Sequence, residues 1–142
     1  MDWMLMPLRR YADFSGRSRR KEYWMFVLFT ILVYTAFIVL FMVGGGATGM
    51  FGQTGDAPEL GVIAWLVIAL FVIFALIIFI PALAVIVRRL HDQDKSGWFI
   101  LLQFIPYIGG IIILIFMCIE GTKGENRYGP DPKGENIADV FA

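Results

Sequence analysis

The chain has 142 residues, the size of one ordinary domain, yet 58% of them are hydrophobic and only 17% charged, too little polar surface for a soluble globule. Twelve basic and twelve acidic residues cancel to zero net charge, a balance without the basic excess that binding to nucleic acid requires. A mean hydropathy of +0.72, with every charge outside three apolar blocks, assigns the hydrophobicity to lipid, and the single cysteine, Cys118, excludes an intrachain disulfide or a cysteine zinc site.

Residues 1–22 read as a cytoplasmic basic amphipathic segment. Trp3, Leu5, Leu8, Tyr11 and Phe14 interleave with Arg9, Arg10 and Asp13, a mixture suited to the headgroup region or to a loosely ordered basic tail, and Pro7 is expected to interrupt any early helix. Ser18 is the predicted N-cap of the next helix, with Glu22 in its first turn. The first apolar block, Tyr23 to Val43, carries no charge. At about 1.5 Å per residue it reaches about 31 Å, the thickness of a hydrocarbon core, and it is too long for a signal-peptide core, so an uncleaved anchor is predicted. Tyr23 and Trp24 fall where an aromatic belt would stand.

Gly44 to Leu60 is glycine-rich, holds Asp56 and Glu59, and lacks lysine and arginine; it reads as an exposed loop. Gly44, Gly46 and Gly49 match the spacing of a nucleotide fingerprint by chance, because that motif needs a preceding strand. Asp56-Ala57-Pro58-Glu59 should start the second helix, about 60–87, long enough to tilt or protrude. Pro81 is placed to kink it and to open a cleft near Arg88. The third block, 98–119, contains Pro106, Gly109 and Gly110, which fit a kinked span or a re-entrant hairpin. Residues 120–142 form a polar tail. Six basic residues precede the first block, none separates the first from the second, three lie in Arg88 to Lys95, and three follow Glu120. The positive-inside rule then puts the amino terminus and the Arg-Arg turn in the cytoplasm. Three full crossings, the favoured arrangement, leave the tail outside; a hairpin returns it to the cytoplasm.

The polar chemistry concentrates in Arg88-Arg89-Leu90-His91-Asp92-Gln93-Asp94. Arg88 and Arg89 suit a helix carboxyl end; with Arg17, Arg19, Arg20 and Lys21 they also make a rim able to grip an anionic headgroup through paired hydrogen bonds. Asp92, Asp94 and Glu22 are close enough in the topology to pair with those arginines, and a structural ion-pair network is the simpler account. His91 beside Asp92 is a candidate proton relay. Ser96 should cap the third block and Trp98 anchor it. Cys118 should be a buried, inert thiol, and Gln103, Thr30 and Thr35 should tie helices together. Asn126, Arg127 and Tyr128 lie in a turn-rich string that must dock to be ordered, and on a cytoplasmic tail they would complete the cluster around Arg88. No metal-ligand spacing, catalytic set or cofactor motif is present, and the middle of each block lacks a charge, which argues against an ion-coupled transporter.

Three stretches carry a family resemblance: Phe14-Ser15-Gly16-Arg17-Ser18-Arg19-Arg20-Lys21-Glu22-Tyr23-Trp24; Arg88-Arg89-Leu90-His91-Asp92 with Ser96-Gly97-Trp98; and Gly121-Thr122 with Gly124-Glu125-Asn126-Arg127-Tyr128-Gly129-Pro130-Asp131-Pro132. In this order they resemble the bacterial family called domain of unknown function 805, over nearly the whole chain. The long glycine-rich loop after the first block departs from that pattern. The resemblance implies a multi-span helical protein of the bacterial inner membrane and supplies no activity or catalytic residues. The reading is thus an all-α polytopic membrane protein with a transmembrane helical domain over 23–119. It is expected to be a non-enzymatic component that binds protein partners or itself, or else a protein that binds or transports anionic lipids or small anions.

Overall fold

The computed structural model describes residues 2–46 and 60–134. Their regular structure is helical, and an isolated bridge between Asn126 and Gly129 is the one extended pairing among them. Helix α1 is Asp2–Arg9, α2 is Arg20–Phe41 running into a π-helical turn at Met42–Gly46, and α3 is Val62–Asp92; a 3-10 helix at Gly97–Phe104 precedes α4, Gly109–Cys118. Of the described helices, α2 with its π turn and α3 are long and apolar enough to cross a membrane. Only 6% of the most apolar stretch of α2 and 17% of that of α3 is buried. Their hydrophobic side chains therefore face outward, the reverse of a water-soluble core and the arrangement that lipid as solvent favours.

The chain divides into two compact units, one made of residues up to Phe26 and from Ile80 onward, the other of Val27–Phe79. In the second unit the middles of α2 and α3 pack through aromatic rings: Tyr34 and Phe37 each meet Phe71 and Phe74 with centroids 5.5 to 5.9 Å apart. Such pairs contribute about 0.5–1.5 kcal/mol each beyond their area, which matters where lipid removes the hydrophobic drive for helices to associate. The Thr30 and Thr35 hydroxyls donate back to the carbonyls of Val27 and Ile31 at 2.8 Å, bonds within their own helix. Gly44 lets α3 approach, since a Cβ there would stand 2.8 Å from Ile63 Cγ2. The capping sequence at 56–59 and Gly49 lie outside the described residues.

In the first unit Leu90, Ile113 and Met117 form a buried core, with Tyr23, Ile86 and Phe116 packed around it. Pro7 lies inside α1 instead of ending it. Two turns of helix have few hydrogen bonds to lose, and the proline ring is fully buried. Ser18 is not the cap: Arg19 O accepts the first helical bond, from Tyr23 N–H at 3.3 Å, and Ser18 donates its own N–H to Arg88 O at 3.2 Å. Its hydroxyl is buried with no hydrogen-bond partner among the described residues. Ser96 does cap as expected, accepting from Trp98 N–H. Helix α3 continues through Pro81 to Asp92, and Pro81 is itself fully buried, so the expected cleft is closed. Cys118 is exposed, not buried, at the last position of α4.

The third apolar block does not form one continuous span. A 3-10 arm of eight residues and an α-helical arm of ten are joined by a turn at 105–108 and pack on each other. The tail then returns to the carboxyl end of α3, where Arg89 donates to Ile119 O and Thr122 N–H donates to Asp92 O at 2.8 Å. A third full crossing, with the tail on the far side, is incompatible with these bonds.

Gly109 holds the two arms together, since a Cβ on it would lie 2.0 Å from Leu102 O, whereas one on Gly110 would meet nothing within 4 Å. Gly109→Ala should lower stability by about 1–3 kcal/mol through overpacking, and Gly110→Ala should be neutral or stabilising. Thermal unfolding of both variants in detergent checks the pair.

Candidate functional site: a buried arginine cluster

The stretch before α2, the first turn of α2 and the carboxyl end of α3 bring five charged side chains into one interior. Arg88 and Arg89 are fully buried, Glu22 is 3% exposed, Asp92 5% and Arg17 7%. An unpaired ion in such surroundings costs several kcal/mol, so the pairing decides whether the cluster can exist. Arg88 Nη2 donates to Glu22 Oε1 at 2.9 Å, while its Nη1 reaches the carbonyls of Arg10 and Asp13. Arg17 Nε donates to Asp92 Oδ1 at 3.0 Å, and Arg89 Nη1 takes the other carboxylate oxygen. Three guanidiniums thus face two carboxylates. Backbone carbonyl dipoles absorb the surplus positive charge: Arg17 Nη1 donates to Gly124 O at 2.6 Å and its Nη2 to Thr122 O.

The tail meets the end of α3 through Asn126, and Gln93, one residue past α3, ties that end to α4. Gln93 Nε2 donates to Phe116 O, and Asn126 Nδ2 donates to His91 O at 3.0 Å and to Thr122 Oγ1 at 2.9 Å. Gly121 passes directly over Asp92; a Cβ there would lie 2.0 Å from Asp92 Oδ2. A glycine followed by threonine just after an apolar block was the available signal, but it does not name its partner.

His91 stands apart from the ion pairs. Its ring stacks on Tyr128 at 3.8 Å and 5°, and both oxygens of Asp92 are held by arginine, so the two neighbours form no relay. The remaining basic side chains are nearer the surface. Arg19 donates to Pro132 O and lies over the Trp3 ring, as Lys21 does. Arg20 pairs with Glu120 at 3.2 Å, and Arg127 pairs with Asp94 at 3.0 Å. Exposed pairs of this kind contribute little, at most about 1 kcal/mol. No group of three or more metal-ligating side chains occurs among the described residues. The arrangement thus joins the amino-terminal segment, α3 and the tail, and the expected rim is split: Arg17, Arg88 and Arg89 turned inward, Arg19, Arg20 and Lys21 left outside.

Fold and cluster together define a small helical membrane protein whose polar residues are collected at helix ends and tied to one another. The family model described as "Protein of unknown function (DUF805)" matches residues 11–130, and the chain belongs to that family. It is 44% identical to the inner membrane protein YhaH of Escherichia coli (strain K12) over 135 residues, covering 95% of this chain and 99% of YhaH. It is 43% identical to the inner membrane protein YhaI of the same strain over 133 residues, 94% of this chain and 97% of YhaI. The uncharacterized protein YiiR of that strain is 26% identical over 144 residues, 84% of this chain and 85% of YiiR. No solved structure matches. The activity of the family is unknown, so these relatives, two of them named as inner membrane proteins, supply no chemistry.

Two outcomes test the cluster. Arg88→Gln should cost about 3–5 kcal/mol by stranding Glu22, whereas replacing both by apolar residues of similar volume should restore most of the stability, read by chemical or thermal unfolding. In the tail, Asp131 is held below the usual carboxylate range by the N–H groups of Lys133 and then Gly124, and Glu120 by Lys133 first. With folded values depressed, their contribution is complete above the ordinary carboxylate range and is lost as pH falls through the lowered values. Protection of the amides over 120–134, after correction for the intrinsic pH dependence of exchange, should therefore fall only in acid, and Asp131→Asn should weaken that dependence.

Proposed function

We propose that this chain is a non-enzymatic, multi-pass component of the bacterial inner membrane, with its amino terminus in the cytoplasm, that works by binding a protein partner or a second copy of itself. The observation that carries the reading is that each carboxylate of the buried cluster is already held by a guanidinium, Glu22 by Arg88 and Asp92 by Arg17 and Arg89. A general base or nucleophile needs a group free to meet a substrate, and the cluster offers structural ties instead. Contacts to a partner then fall to the outward faces of the helices. On the Val27–Phe79 unit these include an apolar groove of about 380 Å³ lined by Phe37, Ile38, Phe41, Met42, Val67 and Phe71.

The anionic-lipid reading narrows to Arg19, Arg20 and Lys21, because Arg88 and Arg89 are closed to any headgroup. One measurement separates the two. A photoreactive residue at Ile38 in cells, followed by native mass spectrometry of the gently released protein, should give a defined adduct with a second copy or another membrane protein, unchanged in an Arg19→Gln/Arg20→Gln variant. A strictly monomeric protein that carries an anionic lipid, lost in that variant, would replace the partner reading with the lipid one.

A further inference from the structure

We infer that Gly97–Cys118 is a re-entrant hairpin that inserts into the acyl layer of one membrane leaflet and reverses near the bilayer midplane. The lengths set the depth. The eight-residue 3-10 arm rises about 16 Å at about 2.0 Å per residue, and the ten-residue α4 about 15 Å at about 1.5 Å per residue. Each is half of a hydrocarbon core of about 30 Å. Both ends are held beside the carboxyl end of α3. Lys95 N–H donates to Leu90 O at the entrance, and at the exit Arg20 and Arg89 donate to the carbonyls of Cys118 and Ile119.

The surface of the hairpin is that of a lipid-facing element. Phe104 is 82% exposed and Tyr107 97%, with Ile108, Ile111, Leu114 and Ile115 all more than half exposed. Trp98, 76% exposed at the start of the first arm, stands where an interfacial aromatic belongs. Unpaired backbone is costly in a reversal inside lipid, and this one pairs three of its N–H groups and lacks a fourth. Pro106 has no N–H, and Ile105, Ile108 and Gly109 donate to Leu102, Pro106 and Ile105 at 3.0, 2.8 and 2.9 Å. The Ile108 bond closes a three-residue turn around Tyr107, whose φ of 65° is a strained conformation for a side chain of that size. The strain gives the shortest reversal available. Gln103 and Tyr107 are the side chains with polar atoms near the tip, and they make depth the discriminating quantity: a tip at the midplane leaves both away from water, and a tip in the headgroup layer leaves both hydrated.

The test uses the full chain in vesicles of phosphatidylcholine and phosphatidylglycerol, in a Cys118→Ser background. Tyr107→Cys, and separately Ile108→Cys, carries an environment-sensitive fluorophore. Acyl chains brominated near their ends should quench it more strongly than chains brominated near the headgroup, in whichever of the two variants stays monodisperse. Tyr11→Cys and Lys123→Cys should react with an impermeant maleimide from the same face of the membrane. Strongest quenching by shallow bromines, no quenching by either lipid, or labelling of the two cysteines from opposite faces would each overturn the proposal. Because partner binding is read separately by crosslinking, either result leaves that question independent of this one.

Discussion

The rest of the structure depends on one shared carboxylate. Asp92 receives Arg17 on one oxygen and Arg89 on the other, its backbone carbonyl accepts from Thr122, and Gly121 leaves the space for the chain to pass above it. Two segments far apart in sequence, the stretch before α2 and the start of the tail, therefore converge on one residue of α3. Coulomb attraction in a poorly solvated interior is strong, but removing the ions from water costs as much or more, so such a network adds little net stability over an apolar core. What it supplies here is discrimination: any register of α2, α3 and the tail that separates one partner leaves a buried ion exposed to the full desolvation penalty.

That discrimination matters more in lipid than in water. The outward-facing Leu, Ile, Val and Phe residues of α2 and α3 are equally content with acyl chains or with one another, so apolar content alone specifies no arrangement. Two kinds of contact do specify one, each in its own unit. Tyr34 and Phe37 interlock with Phe71 and Phe74, and Glu22 pairs with Arg88. The second is the more selective, because an aromatic ring can repack against another apolar neighbour at modest cost and a buried guanidinium cannot.

The elements that were legible in the sequence follow from composition and local rules. Uncharged runs of sufficient length announce α2 and α3, and the coincidence of Arg88, Arg89, Asp92 and Glu22 at helix ends announces an ion-pair network. What the sequence left open was decided by long-range contact. Pro106 with Gly109 and Gly110 fits a kinked span as well as a hairpin; the choice was made by Gly109 packing on Leu102 and by Arg89 reaching Ile119 O. Pro7 was read by a rule for long helices and sits in a short one. Ser18 was read as a cap by residue type, yet its N–H is used by Arg88 O. Cys118, deep in an apolar run, is exposed because a membrane protein turns that run outward.

The hairpin also resolves a tension in the charge distribution. Arg17 bonds both to Asp92 and to the carbonyls of Thr122 and Gly124, so the amino-terminal segment, the Arg-Arg turn and the tail must share one side of any membrane the protein occupies. If α2 and α3 each cross, the number of complete crossings between Arg17 and Thr122 is even, and the third apolar block has to leave on the face it entered. On that topology all twelve lysines and arginines would lie on one side. Three full crossings would instead have sent Lys123, Arg127 and Lys133 across. The positive-inside rule, applied to the whole chain rather than to its first helix, therefore favours the same topology as the hydrogen bonds, from an independent physical cause: the first acts on the chain as it is inserted, the second on the protein once folded.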